Sequence, residues 1–279
     1  MTGPLLALAS AVCFGIADYA GGLLSRRANP AAVALAVQVS GCAVMVAVAP
    51  VVPAPGLDGS DLAWGALSGV GTATGVGFLY RGLTRGHMSV VVPLSAVGGL
   101  ALPVLVGVTI MAESPSMLTW LGIALAVPAV ALVARKNGGA AAAGAGGVLD
   151  GLVASMGFAL QYIALAQAGT AAGLWPVAAG RLASVPTVML ALGITATRLH
   201  LPRGVAVGAT ANGVVAVGGL ALYLLATRQE LVTVSVVLSS LYPAIPVLLG
   251  ITVLGERLTR QQTIGLVGAG LTIALLTAG

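Results

Sequence analysis

Apolar residues run in unbroken stretches of about 20, and polar residues collect at the breaks between them. The runs do not alternate apolar with polar positions, so they predict helices and not the short alternating strands of a membrane barrel. The first half gives spans at 4–24, 31–53, 62–80, 88–110 and 117–134. The second gives 148–169, 174–197, 204–226, 231–254 and 262–278. The breaks carry Pro, Gly or charge, as in Ser25-Arg26-Arg27-Ala28-Asn29-Pro30, Leu57-Asp58-Gly59-Ser60-Asp61 and Leu201-Pro202-Arg203. Residues 1–136 and 148–279 thus form two five-helix units, and the Gly/Ala-rich stretch 137–147 reads as a flexible linker. The expected fold is all-α and integral to the membrane, with about ten transmembrane helices. The connections leave no room for a sizeable soluble domain. The first run lacks a basic leader, so it reads as an uncleaved helix rather than a signal peptide.

Comparing the chain with itself reveals a repeat. At a displacement of 143 (79 to 222), Leu79-Tyr80 falls on Leu222-Tyr223 and Thr84-Arg85 on Thr227-Arg228. At the same displacement Pro103-Val104-Leu105 falls on Pro246-Val247-Leu248, and Gly107, Thr109, Glu113 and Gly122 fall on Gly250, Thr252, Glu256 and Gly265. Matched Tyr, Arg and Glu carry the signal, because these types are scarce here. Five spans is an odd number, so the second unit enters the bilayer from the opposite side and the repeat is inverted. Such carriers hold substrate near the midplane between the halves and work by alternating access. Prolines within spans (Pro93, Pro103, Pro128, Pro176, Pro186, Pro243, Pro246) remove backbone donors; they suit helices that bend around a cavity, or simply curve.

The glycine-rich third span ending in Leu79-Tyr80 is one half of a family likeness. The run Pro103, Glu113, Gly122 is the other, repeated as Pro246, Gly255-Glu256-Arg257-Leu258-Thr259 and Gly265. Together they resemble the EamA-type branch of the drug/metabolite transporter superfamily. The second unit matches more closely, since the first has Ala112-Glu113-Ser114 where Gly-Glu-Arg is usual. The resemblance implies ten helices, two inverted repeats and export or exchange of small metabolites, and it specifies no substrate.

Composition agrees with a lipid solvent. The chain of 279 residues is 58% hydrophobic and only 7% charged, against about 25% charged in soluble domains. Its 40 glycines suit close helix packing, with Gly65/Gly69, Gly71/Gly75 and Gly204/Gly208 at the right spacing. The net charge of +5 does not imply nucleic-acid binding, because the basic residues sit singly or in pairs at helix ends. Counting spans places Arg26, Arg27, Arg81, Arg85, Arg135, Lys136, Arg198, Arg203, Arg257 and Arg260 on one side, with Arg228 alone in the loops of the other. The positive-inside rule makes the first side cytoplasmic, with both termini outside. The family resemblance suggests the reverse. Cys13 and Cys42 fall inside spans and read as packing residues.

Ionisable and polar groups at membrane depth are the candidate site. Asp18 is the acid well inside a span. It is either a carboxylate for a proton or a substrate amine, or a structural partner of Arg26 or Arg27. Arg181, the one basic residue inside a span, could bind an anionic substrate group with its fork of donors, or cap carbonyls. Gln38 lies opposite it by the repeat. Phe14, Tyr80, Gln161, Tyr162, Asn212 and Tyr223 are further candidates. So are Ser95, Ser239 and Tyr242, with Ser240, on the proline-bearing spans four and nine. Glu113 and Glu256 read as pairing or capping groups at helix junctions. Trp64, Trp120 and Trp175 read as interfacial anchors. No phosphate-binding loop, metalloprotease motif or nucleophile elbow is present, and His87 and His200 stand at loop ends.

The expected function is therefore a secondary, non-ATP carrier of a small metabolite. It needs no cofactor or metal, and its partners are the substrate, the lipid bilayer and a coupling proton or counter-substrate. The expected location is a bacterial-type plasma membrane. Alternatives are a flippase-like carrier of a lipid-linked or amphipathic compound, a membrane enzyme, or a non-transporting subunit. An isolated Asp18 argues against the enzyme.

Overall fold

The computed structural model describes residues 2–85, 88–133, 144–194, 200–245 and 259–278. All regular structure among them is helical. The helices are α1 (Thr2–Ser25), α2 (Pro30–Val48, continued by a 3-10 turn at Ala49–Val51), α3 (Gly59–Arg85), α4 (Met88–Thr109) and α5 (Met117–Val133). There follow α6 (Gly144–Ala166), α7 (Trp175–Ile194), α8 (Arg203–Thr227), α9 (Val232–Ser239) and α10 (Arg260–Ala278). Among the described residues five stretches are long and apolar enough to cross a membrane: Thr2–Ser25, Pro30–Val51, Gly59–Arg85, Gly146–Ala166 and Arg203–Thr227. Large apolar side chains such as Leu5, Leu190 and Val207 point outward, exposed by 61%, 68% and 71%, as a lipid-facing surface requires.

Two expected boundaries change. The ninth span is not continuous to 254: α9 stops at Ser239 and the chain turns through 240–243. The last regular bond runs from Ser240 N to Val236 O, and Pro243 has no N–H to give the Ser239 carbonyl. In addition, α6 begins at Gly144, so the last residues of the expected linker are helical. The remainder of the linker and all of 246–258, Glu256 included, lie outside the described residues.

Local chemistry sets the helix starts. Asn29 caps α2, its side chain accepting from the Ala31 and Ala32 amides, with Pro30 at the first helical position. Asp58 and Asp61 form a reciprocal cap on α3. Asp58 Oδ1 accepts from the Ser60 and Asp61 amides, and Asp61 Oδ2 accepts from the Asp58 amide. The hydrogen bonds from Ser60 and Asp61 hold the exposed Asp58 carboxyl below its ordinary pKa.

The helices meet in a definite pattern. α3 lies between α6 and α7, α8 packs on α1 and α2, α4 on α6, and α5 against α10. Glycine permits the closest approaches. A Cβ on Gly69 would collide with the Gly180 carbonyl of α7, and one on Gly157 of α6 would strike the backbone of Gly71 and Gly75 on α3. Neighbouring residues give directions. Gly65 meets Pro176 and Gly69 meets Gly180, so α3 and α7 are parallel. Gly71 meets Gln161 and Gly82 meets Asp150, so α3 and α6 are antiparallel. Ser10 bonds to Gly219, and Asn212 to Ala17, so α1 and α8 are antiparallel.

One end of the bundle carries Arg26, Arg27, Arg81, Arg85, Arg203 and Arg260, together with the buried Asp150. The opposite end carries Asp58, Asp61, Glu113, Glu230 and Arg228. At the basic end Arg81 binds Asp150 through Nε and one terminal nitrogen, and Arg85 stands 3.5 Å from the other carboxylate oxygen. Arg81 also lies over the Phe78 ring at 4.2 Å.

Candidate functional site

Between α1, α3, α4, α6, α7 and the turn after α9 lies a central cavity. Phe14, Ala17 and Asp18 of α1 line it together with Thr72, Val76 and Tyr80 of α3 and Ser95, Ala96 and Gly99 of α4. Phe158, Gln161 and Tyr162 of α6, Arg181 of α7, and Ser240 and Tyr242 complete most of the wall. Its free space is about 40 Å³. That admits water but falls far short of the roughly 300–1,000 Å³ of pockets that hold drug-sized ligands, so the cavity is contracted in this conformation.

The structure brings the sequence candidates together. Phe14, Asp18, Tyr80, Ser95, Gln161, Tyr162, Arg181 and Tyr242 line the cavity directly. The other four stand behind it. Gln38 Oε1 accepts from a terminal nitrogen of Arg181 and from Ser184 Oγ at 3.3 Å, fixing the guanidinium on α7 from α2. Asn212 donates to Tyr80 Oη at 3.1 Å and to the Ala17 carbonyl at 3.0 Å. Tyr223 donates to the Tyr162 carbonyl at 3.1 Å, and the two rings lie 4.7 Å apart. Ser239 Oγ donates to the Ala7 carbonyl, so it ties the end of α9 to α1 and does not face the cavity.

Sequence reasoning missed Thr72, Phe158 and Asp150. Thr72 donates to Gln161 Oε1 at 2.6 Å and thereby orients that amide. Its sole signal was a hydroxyl within a glycine run. Asp150 is 1% exposed and sits in the first turns of α6. Arg81 and Arg85, one helical turn apart, were the clue to its pairing.

The electrostatics turn on two groups. Arg181 is 3% exposed, and its Nε has no hydrogen-bond partner among the described residues. Asp18 borders the same cavity, and among the described residues its carboxylate makes neither an ion pair nor a hydrogen bond. The expected alternative, a structural pair with Arg26 or Arg27, is therefore not formed. Opposite charges share one central cavity, and neither is neutralised by the other through a salt bridge. An uncompensated charge held away from water is costly unless an occupant, a proton or water completes it. Glu113 behaves as the junction cap expected of it: its oxygens accept from the Val232 and Thr233 amides at 2.6 and 3.0 Å and from the Thr233 hydroxyl. Groups of three or more metal-ligating side chains do not occur among the described residues.

Comparison with known proteins links the first half of the chain to a family of membrane transporters. Residues 1–135 match the EamA-like transporter family, which bears out the likeness read from the Pro103, Glu113 and Gly122 run. That first half is EamA-like, and the helices that follow build the other wall of the same cavity. No curated protein matches the chain. Among solved structures, one described only as the crystal structure of a protein shares the fold with a TM-score of 0.76. It is 18% identical, and the match covers 99% of this chain and 96% of that one.

Proposed function

We propose that this protein is a secondary carrier that moves a small bipolar metabolite across a bacterial-type plasma membrane, by export or exchange. The carrying observation is that Asp18 and Arg181 face one contracted cavity without pairing with each other. A cargo with a cationic and an acidic group satisfies both charges, and the Phe14, Phe158 and Tyr162 rings enclose its apolar part. In the empty carrier a proton on Asp18 or a counter-substrate supplies the missing compensation. The two five-helix units act as inverted copies around this cavity. That reading is supported by Gln38 and Arg181, which are 143 positions apart in the chain and bonded to each other. It is further supported by repeat-related contacts: α3 on α6 and α7 corresponds to α8 on α1 and α2.

The test is uptake and efflux in proteoliposomes with a panel of amino acids, sugars and nucleosides, with and without a pH gradient. A zwitterion is expected to be carried, with R181Q losing at least about tenfold of the rate, the equivalent of one lost charged contact of about 1.4 kcal/mol or more. D18N is expected to abolish the response to the pH gradient. Transport of a neutral sugar alone, or a D18N variant with the wild-type pH response, would overturn the reading.

A further inference from the structure

Within the carrier reading above, something must move, and the contacts between helices identify which groups stay together. α3 and its second-half neighbours are joined backbone to backbone. Gly65 and Gly69 lie on Pro176 and Gly180 of α7, and Gly71 and Gly75 lie on Gly157 of α6. Added Cβ atoms at Gly65, Gly69, Gly71 and Gly157 meet backbone atoms, which have no rotamer through which to retreat, and one at Gly75 meets the Phe158 ring. Polar bonds run along the same contact. Ser68 Oγ donates to the Gln161 carbonyl at 3.0 Å, Thr72 donates to the Gln161 side chain, and Arg81 and Arg85 hold the buried Asp150. Sliding α3 on α6 would leave that buried carboxylate without its cations, which is expensive.

α8 is joined to first-half helices by close glycine contacts too, backbone to backbone at Gly213 and against side chains at Gly219. Gly213 packs on the Val37 carbonyl and Gly41 of α2, and Gly219 packs on Cys13 and Phe14 of α1. Ser10 Oγ donates to the Gly219 carbonyl at 2.8 Å, and Asn212 donates to the Ala17 carbonyl.

Contacts between these two groups are of another kind. Their polar and aromatic links are side-chain ones: Arg181 on Gln38, Asn212 on Tyr80, the Phe14 and Tyr162 rings edge-to-face at 6.2 Å, and Tyr223 on the Tyr162 carbonyl. Elsewhere α2 packs along α7 and α3, though less extensively than α3 on α6 and α7 or α8 on α1 and α2. Side chains change rotamer at little cost, whereas interlocked backbones move as one. The central cavity lies along this seam, with Asp18 on one group and Arg181 on the other. At the basic end the seam widens into an open pocket of about 490 Å³, lined by Ser25, Arg26 and Pro30 from one group and Leu83 and Thr84 from the other. Tyr80, set tightly against Gly21 of α1, stands between this pocket and the cavity.

The geometry points to two moving bodies that each take their third helix from the other half of the sequence: α1, α2 and α8 in one, α6, α7 and α3 in the other. Transport is then a change in the seam between these exchanged bundles and not between the two sequence halves. The basic-end pocket is the mouth of that seam, and a bipolar cargo bridges the bodies by binding Asp18 on one and Arg181 on the other.

The two descriptions predict opposite distances at the basic end. Spin labels are placed on R26C/T84C, T84C/L149C and R26C/R203C in the full chain, with Cys13 and Cys42 replaced by Ser. Pulsed dipolar distances are measured in lipid nanodiscs at pH 5 and pH 8, each with and without millimolar β-alanine. Exchanged bundles require the R26C/T84C distance to shift or split by several ångströms. The other two pairs, which join different sequence halves within one body, keep a single unchanged distance. A constant R26C/T84C distance with movement in T84C/L149C or R26C/R203C means that the sequence halves move, and overturns the proposal. Constant distances for all three pairs under every condition overturn it too. No transport assay enters this readout, so a failure to carry any zwitterion counts against the proposed function and leaves the identity of the moving bodies to be decided by the distances.

Discussion

Several single residues bear more of the structure than their position in a loop suggests. Ala112 has φ 54°, the one non-glycine residue among those described in the left-handed region. That conformation costs an L-residue roughly 1–2 kcal/mol, and the repeat places Gly255 at the equivalent position. A112G is therefore expected to raise the melting temperature in detergent, with a gain of up to about 1 kcal/mol once glycine's looser unfolded state is counted. An unchanged or lower melting temperature would show the strain to be relieved elsewhere. The next residue, Glu113, satisfies two amides at the start of α9. E113A leaves both unpaired, and the expected loss is about 1–3 kcal/mol, read as a lower melting temperature that E113Q restores in part. At Asp58 the effect depends on pH. Its carboxyl is held below its usual value by the Ser60 hydroxyl and the Asp61 and Ser60 amides. Its contribution to α3 is complete above the unfolded carboxylate pKa of about 3.9 and disappears as pH falls through the lower folded value. Wild type and D58A should differ in melting temperature at pH 6, and the difference should close as the pH falls through that lowered value. Much of the central site was legible at this scale because polar groups are so rare in the spans that depth alone singled out Asp18, Arg181 and Gln161. Asp150 and Thr72 escaped notice because their importance lies in partners on other helices, Arg81 and Gln161, which a linear pattern does not display.

At the scale of elements, hydropathy runs located the helices, because a bilayer leaves the backbone few alternatives. It failed for α9, where Ser239, Ser240 and Pro243 break an apolar run that reads as continuous. Hydropathy measures solvent, and the break comes from a missing backbone donor. The glycines were legible as a small-residue surface but not as a set of contacts, since their abundance makes spaced pairs common by chance. The structure separates those that matter. A Cβ at Gly69 meets the Gly180 backbone, whereas one at Gly77 meets nothing within 4 Å. G69A is expected to separate α3 from α7 and cost roughly 1–3 kcal/mol, the usual penalty of overpacking. G77A should be neutral or slightly stabilising, because alanine is the better helix former by up to about 1 kcal/mol. The pair is compared by thermal unfolding in one detergent. Equal stability of the two variants would remove the argument that α3 and α7 interlock through their backbones.

For the molecule as a whole, the ends differ in charge, and that difference has a consequence for orientation. Arg26, Arg27, Arg81, Arg85, Arg203 and Arg260 gather at one end with Asp150 among them, while Arg228 is the corresponding cation of the opposite end. Arg228 is not free there. It donates to the Gly173 carbonyl at 2.6 Å and lies near Asp61, which itself accepts from the Gly169 amide, so it closes the loop between α6 and α7. Its repeat mate Arg85 instead turns to Asp150. One duplicated arginine thus has two structural uses at opposite faces, and neither use weakens the bias in unpaired positive charge. Cations resist translocation, so the basic end is expected to stay cytoplasmic. α1 starts at the other end, and α10 runs antiparallel to α5 and finishes there as well, because Gly122 near the start of α5 meets Leu275 and Leu276 near the end of α10. A phosphatase fused after Gly279 is therefore expected to be active outside the cytoplasm, and a fluorescent protein fused at the same point to be dark. The reverse result would place Arg26 and its neighbours outside. The basic mouth of the seam would then open to the exterior, and the charge bias would have to be held by pairing such as that of Arg81 and Arg85 with Asp150 and not by the rule that governs insertion.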